Sequence, residues 1–91
     1  MSILIHLPTV LAPLAQGERT IAASGATLGA AVRDLGARHP RLLPRLAGPD
    51  GQPYPFVLFY LNDEDVRFLD GFNTPVSSGD EVVIVPAVAG G

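Results

Sequence analysis

The chain closes on the stretch Val82-Val83-Ile84-Val85-Pro86-Ala87-Val88-Ala89-Gly90-Gly91. Its four branched apolar residues predict a buried strand, and Pro86 ends the strand because proline has no amide hydrogen to donate to a neighbour. Small residues then lead to a free carboxylate. The pattern predicts a folded domain over residues 1–86 and a flexible tail over residues 87–91.

A terminal Gly-Gly pair has a physical use, because glycine has no Cβ and can pass through a slot too narrow for a side chain. Residues 87–91 can reach roughly 17 Å beyond the strand. That length is enough to enter the active site of another protein, so we expect Val88, Ala89 and Gly90 to be the inserted residues. The alternative is that the stretch is an ordinary frayed terminus.

Size and composition limit the classes of function. A chain of 91 residues forms one domain. It contains no cysteine, which excludes disulfides, thiolate metal sites and cysteine nucleophiles. His6 and His39 are the only histidines and stand far apart in the sequence, so we expect no bound metal and no cofactor of its own.

Charge and hydropathy bear on partners and location. The net charge is −3, and the six basic residues are all arginines spread from Arg19 to Arg67, so nucleic acid is not an expected partner. Without lysine, the chain cannot accept an isopeptide bond on a side chain. Residues 2–7 are too few for the core of a signal peptide, and no apolar run reaches membrane-spanning length. We expect a cytoplasmic protein.

Apolar periodicity and breakers divide the chain into elements. The predicted order is strand 2–7, strand 18–22, a helix from 28 to about 39 with Thr27 as N-cap, a short helical turn within 41–46, a surface loop 48–55, strand 56–61, a turn 62–65, a short strand 66–68 and the closing strand. One main helix covers only one face of such a sheet. The predicted class is therefore α+β, a ubiquitin-like β-grasp with a mixed sheet of four to five strands.

Alternation along the strands predicts what each face of the sheet carries. The residues expected to face the helix are Ile3, Ile5, Leu7, Val57, Phe59, Leu61, Val82 and Ile84. Those expected on the open side are Leu4, His6, Leu58, Tyr60, Val83 and Val85. This second set is too apolar for a face meant only for water, so it predicts a surface for docking a partner. Alternatively, a long loop such as residues 8–17 folds over it.

Other possible sites give weaker signals. The acidic run Asp63-Glu64-Asp65 lacks the spacing of a calcium loop and is interpreted as a solvated turn. No nucleophile elbow or phosphate-binding loop is present, and His6 has no acidic neighbour in sequence, which indicates a surface or interface residue. The chain is therefore not expected to be an enzyme.

Three segments carry a family resemblance: 24–30 (Ser-Gly-Ala-Thr-Leu-Gly-Ala), 62–68 (Asn-Asp-Glu-Asp-Val-Arg-Phe) and the closing 86–91. With them the chain resembles the sulfur carriers of the ThiS/MoaD family, ubiquitin-like proteins that end in Gly-Gly. It is most similar to the branch that supplies sulfur for cysteine biosynthesis from O-phosphoserine. The resemblance runs over essentially the whole chain.

The resemblance implies a cycle of acyl activation at Gly91. An E1-like adenylyltransferase and sulfurtransferase, using ATP and magnesium, would form an acyl-adenylate that a sulfur donor converts to a thiocarboxylate. A pyridoxal-phosphate synthase would make an aminoacrylate from O-phosphoserine for the thiocarboxylate to attack, and a zinc peptidase would release cysteine. These cofactors belong to the partner enzymes.

Two other functions are compatible with the sequence. One is the small subunit of molybdopterin synthase, or the related carrier of thiamine thiazole synthesis, with the same tail chemistry. The other is a β-grasp interaction module whose tail is never activated.

Overall fold

The computed structural model describes residues 2–48 and 57–86. The predicted loop around Asp50 and the predicted tail residues Val88, Ala89, Gly90 and Gly91 lie outside these ranges. The strands are β1 (Ile3–His6), β2 (Thr20–Ala23), β3 (Val57–Leu61), β4 (Glu64–Asp65) and β5 (Glu81–Pro86). The helices are α1 (Leu28–Arg38) and α2 (Leu43–Leu46), with single 3₁₀ turns at Ala12–Ala15, Val66–Phe68 and Gly71–Asn73.

The strands form one mixed sheet in the order β2-β1-β5-β3-β4. Strand β5 lies in the middle, parallel to β1 and antiparallel to β3, and the outer pairs β1–β2 and β3–β4 are antiparallel. Helix α1 packs against one face of this sheet. The architecture confirms the predicted ubiquitin-like β-grasp.

The core lies between the sheet and α1. All eight residues predicted to face the helix are buried, none more than 9% exposed. Leu28, Val32 and Leu35 of α1 are also buried and supply the facing layer. Within the core, the rings of Phe59 and Phe72 meet edge to face, with centroids 5.1 Å apart.

Helix α1 begins and ends where the sequence predicts. The hydroxyl of Thr27 accepts the Ala30 N–H at 3.2 Å, which satisfies one of the amides left free in a first turn. At the other end, His39 before Pro40 is the C-cap, and its N–H donates to the Leu35 carbonyl. The predicted helical turn within 41–46 is α2.

The predicted short strand over 66–68 is wrong. Asn62 and Asp63 both have positive φ and form a tight turn, so the chain returns early and pairs with β3 only at Glu64 and Asp65. The Asp65 carboxylate then accepts the Arg67 N–H and caps a 3₁₀ turn in place of a strand. A local hydrogen bond from an aspartate side chain thus overrides the apolar alternation.

Loop 8–17 has more structure than the sequence indicates. It contains the 3₁₀ turn Ala12–Ala15, and both Leu11 and Ala15 are members of the hydrophobic core. Leu14 also packs against that core. The buried residues of the loop therefore pack in the core and do not cover the open side of the sheet.

We predict that Arg67→Ala raises the pKa of Asp65. Hydrogen bonds from the Arg67 side chain and then from its backbone N–H lower the pKa of that carboxyl group. A lowered pKa adds stability that is complete above the pKa of the unfolded chain and disappears as the pH falls through the folded value. The variant should therefore lose less stability on acidification, and a carbon-detected NMR titration measures the pKa directly.

Asp80 is the internal control for that titration. Its pKa is also lowered, first by the Ser77 N–H and then by the Asn62 side-chain amide, neither of which involves Arg67. It should titrate identically in both proteins. An unchanged pKa of Asp65 in the variant would contradict the assignment.

Candidate functional site

The candidate site is the end of β5, the last part of the chain that the structure describes. Strand β5 pairs with β3 as far as Pro86, which lies opposite Val57. Strand β5 is central and is paired with β1 at residues 81–83, but its last residues, Val85 and Pro86, are paired with β3 alone. The predicted tail residues are not among those the structure describes, so their insertion and the modification of Gly91 stay predictions.

The six residues predicted for the open side do lie on the face away from α1. Leu4, Val83 and Val85 are 37 to 40% exposed, and His6, Leu58 and Tyr60 are half-buried. Val83 is paired with His6 on one side and with Tyr60 on the other, and Val85 is paired with Leu58. Because residues paired across neighbouring strands share a face, the six form one continuous patch, which we call the open face.

His6 has partners that the sequence does not reveal. Its Nε2 lies 2.8 Å from a Glu81 carboxylate oxygen, and its Nδ1 lies 3.2 Å from the Thr20 hydroxyl. A neutral ring satisfies both contacts, with Nε2–H donating and Nδ1 accepting. Glu81 is 75 positions from His6, and only the parallel pairing of β1 with β5 brings them together. The pair places a fixed polar group among the apolar side chains of the open face.

The end of the open face remote from Pro86 is acidic. Asn62, Asp63, Glu81 and Val83 line a depression of about 240 Å³. The Asn62 side chain is fixed there, because its oxygen accepts the Glu81 N–H and its nitrogen donates to Asp80. The face therefore has an acidic end and an apolar end, with Pro86 next to the apolar one.

An exposed aromatic side chain beside the open face was missed in the sequence. Phe68 is 84% exposed, and the Arg67 guanidinium lies 5.9 Å from its ring centroid. Arg67 is itself held by Asp65, which lies opposite Tyr60 in the sheet. The sequence offered no signal for this arrangement, because an apolar residue in a predicted strand was expected to pack.

The acidic turn Asp63-Glu64-Asp65, considered above as a possible cation site, instead binds an arginine of the same chain. The Asp65 carboxylate receives the Arg67 guanidinium, with Nη2 2.6 Å from one of its oxygens. Over residues 2–48 and 57–86, no group of three or more His, Asp or Glu side chains has the arrangement of a metal site. Across the same ranges, no helix has the length and apolar character needed to cross a bilayer.

Comparison with known proteins identifies the family. The sequence pattern described as the ThiS family matches residues 5–91. The sulfur carrier protein CysO of Mycobacterium tuberculosis is 45% identical over 93 residues, covering 100% of both chains. Small archaeal modifier protein 3 of Haloferax volcanii is 41% identical over 66 residues, covering 72% of this chain and 71% of that one.

Solved structures agree with the sequence matches. The crystal structure of Mycobacterium tuberculosis CysO superposes with a TM-score of 0.88 at 43% identity, over 94% of this chain and 99% of that chain. A BexX/CysO complex from Amycolatopsis orientalis gives a TM-score of 0.91 at 38% identity, over 98% and 99%. These matches show that the chain belongs to the ThiS family, which confirms the resemblance predicted from its sequence and the prediction of a sulfur carrier that is not itself an enzyme.

Proposed function

We propose that this protein carries sulfur as a thiocarboxylate on Gly91 and delivers it in the cytoplasm for cysteine biosynthesis from O-phosphoserine. The observation that carries the proposal is full-length identity of 45% to a sulfur carrier protein, in a chain that ends in Gly90-Gly91 five residues beyond a central strand. The domain holds the terminus, and other enzymes act on it.

The chemistry needs little from the carrier itself. The Gly91 carboxylate attacks the α-phosphate of ATP and releases pyrophosphate, and a sulfur donor then attacks the acyl carbon and displaces AMP. Both reactions need the carboxylate to be positioned in a partner, since approach and alignment supply much of the rate. ATP with magnesium and pyridoxal phosphate belong to the E1-like adenylyltransferase and to the cysteine synthase respectively. A zinc peptidase completes the proposed cycle.

The open face is the surface on which we propose these partners dock. It begins beside Pro86, so a protein bound there also receives the tail. Exposed apolar patches of this kind mark interaction surfaces. The relative from Amycolatopsis orientalis was solved in complex with BexX, which is consistent with members of this family working through a bound partner.

We expect Val83→Asp to weaken docking without unfolding the domain. Val83 lies at the centre of the open face and is 38% exposed, so a charge there is solvated in the free protein but buried without a partner in the complex. A buried unpaired charge in an interface costs about 2 kcal/mol or more, which raises the KM for the carrier by at least about thirtyfold. Steady-state thiocarboxylation measures the KM.

Leu69→Asp is the matched control. Leu69 is also 38% exposed, but it lies in the connection after β4 and not on β1, β3 or β5. The Leu69→Asp variant should have a KM near that of the parent protein. Equal effects of the two substitutions would show that the open face has no special role.

Intact mass tests the central proposal. The purified protein is incubated with an E1-like adenylyltransferase, ATP, magnesium and a sulfide source, and replacement of one terminal oxygen by sulfur is read from the mass. An unchanged mass would favour the alternative function, a β-grasp interaction module whose tail is never activated. The thiocarboxylate is then offered to a cognate pyridoxal-phosphate synthase with O-phosphoserine. If no cysteine forms, but the thiocarboxylate converts the molybdopterin precursor together with a large synthase subunit, the protein belongs to the molybdopterin synthase branch.

A second candidate function is protein modification. It is favoured by the 41% identity to a protein named small archaeal modifier protein 3. In this case the activated Gly91 would form an amide with a lysine of a target protein. Because the chain contains no lysine, it would modify others once per site without building chains on itself. Trypsin cuts this chain last after Arg67, so peptide mapping for residues 68–91 joined to target lysines distinguishes this function from sulfur transfer.

A further inference from the structure

The residues around the end of β5 form a small depression. It has a volume of about 140 Å³ and is lined by Val10, Leu11, Arg45, Val57 and Pro86. Three parts of the fold meet there: the loop after β1, helix α2 and the paired ends of β3 and β5. We call Val10, Arg45 and Pro86 the collar.

The collar lies on the other side of the sheet from the open face. Val57 and Pro86 are paired and therefore share a face, and Val57 is buried in the core on the α1 side. The preceding pair, Leu58 and Val85, points to the open face. Pro86 thus lies where the open face ends on one side of the sheet and the collar lies on the other.

The length of the tail determines what must touch the collar. Five residues separate Pro86 from the terminal carboxylate, and they span at most about 17 Å. Acyl activation is favoured in a site closed to water, so the enzyme must enclose the end of the tail. We take the enclosing part of the enzyme to be a channel. Because the tail is so short, the entrance of this channel has to lie against Pro86. Its edge then meets both sides of the sheet, including the collar.

The exposed side chains of the collar indicate what that edge carries. Val10 is 69% exposed, and Arg45 is exposed beside it. Arginine presents a planar fork of donors that matches a carboxylate in two parallel hydrogen bonds. We propose that the collar is a second contact surface for the activating enzyme, whose channel entrance offers an apolar surface to Val10 and a carboxylate to Arg45. The proposal rests on the proposed function, since it assumes an enzyme that takes up the tail.

Charge reversal at Arg45 tests the proposal. In ATP–pyrophosphate exchange with the cognate E1-like adenylyltransferase, Arg45→Glu should raise the KM for the carrier about tenfold and leave kcat within about twofold, because a charge at the edge of an interface acts on association. The penalty should shrink as ionic strength rises. A purely structural role for Arg45 would not give this dependence on salt.

Arg33→Glu is the matched control. It makes the same change in net charge on an exposed residue of α1, which lines a different groove with Gly29 and Phe72. Its KM should stay close to that of the parent protein. Arg45→Gln, which removes the charge but keeps a long polar side chain, should give an intermediate KM and guards against misfolding of the reversed variant. Val10→Ser should raise the KM at every salt concentration.

The outcomes separate the two proposals. If the parent protein supports no pyrophosphate exchange with the enzyme, the proposed function fails. If the parent is active but Arg45→Glu and Arg33→Glu have equal KM values, the collar is not a contact surface, whatever the fate of Gly91. A similar loss of folding in both Arg45 variants, seen by circular dichroism, would also overturn the proposal by assigning Arg45 a structural role.

Discussion

Deletion of Gly91 is expected to abolish formation of the thiocarboxylate while leaving the thermal unfolding of the domain unchanged. Removal of one residue withdraws the terminal carboxylate by about 3.5 Å. A misplacement of about 1 Å already costs about a hundredfold in rate when reacting groups must be aligned, so the shortened chain should be inactive in practice. Intact mass and ATP–pyrophosphate exchange measure the two steps.

Two controls accompany this deletion. Addition of one alanine after Gly91 should be equally inactivating, because it moves the carboxylate the other way and introduces a Cβ into the predicted slot. Ala89→Gly keeps the length and should keep activity. All the pairing described for β5 lies within residues 81–86, so we expect the melting temperature to be the same in all three variants. Unfolding of the shortened protein would mean that the tail belongs to the fold, and the carrier proposal would lose its basis.

The largest effect on stability is expected for Phe59→Ala. Phe59 is 1% exposed, lies in β3 beside the central strand and packs edge to face on Phe72. Truncation of a buried phenylalanine costs about 3 to 5 kcal/mol in the free energy of unfolding, from lost burial and the cavity left behind. Since small domains have about 5 to 15 kcal/mol in total, this variant should be marginal. Urea denaturation measures the difference.

Phe68→Ala makes the same chemical change at the opposite extreme of exposure. The Phe68 side chain is 84% exposed, and its visible contact is the Arg67 guanidinium. A surface substitution of this kind should change the free energy of unfolding by no more than about 0.5 kcal/mol. If the two phenylalanine variants were equally destabilised, the packing described for the core would be wrong.

The order of the elements and the two faces of the sheet could be predicted because both depend on local patterns. Alternation in β1, β3 and β5 separates Phe59 and Ile84 from Tyr60 and Val83, since a residue shifted by one position changes face. The boundaries of α1 followed from Thr27 and Pro40 for the same reason. Each of these signals lies within a few residues of the feature that it predicts.

The features that were missed depend on hydrogen bonds or on distant pairing. The carboxylate of Asp65 turned a predicted strand into a 3₁₀ turn and so left Phe68 exposed. The contact between His6 and Glu81 joins the first and last strands, and no local pattern reports it. The collar likewise draws Val10, Arg45 and Pro86 from three separate segments. Sequence patterns identified what each segment is, but not which segments meet.

The central position of β5 also affects when the protein can fold. Strands β1 and β3 are each paired with β5 and not with one another. The sheet therefore lacks its central strand until residues 81–86 have been made. Without them, no strand joins the β1–β2 pair to the β3–β4 pair, and pairing between strands so far apart in sequence forms slowly. Val83 and Val85 of the open face also belong to this strand, so we expect a chain truncated before residue 81 to lose both its fold and the surface on which we propose that partners dock.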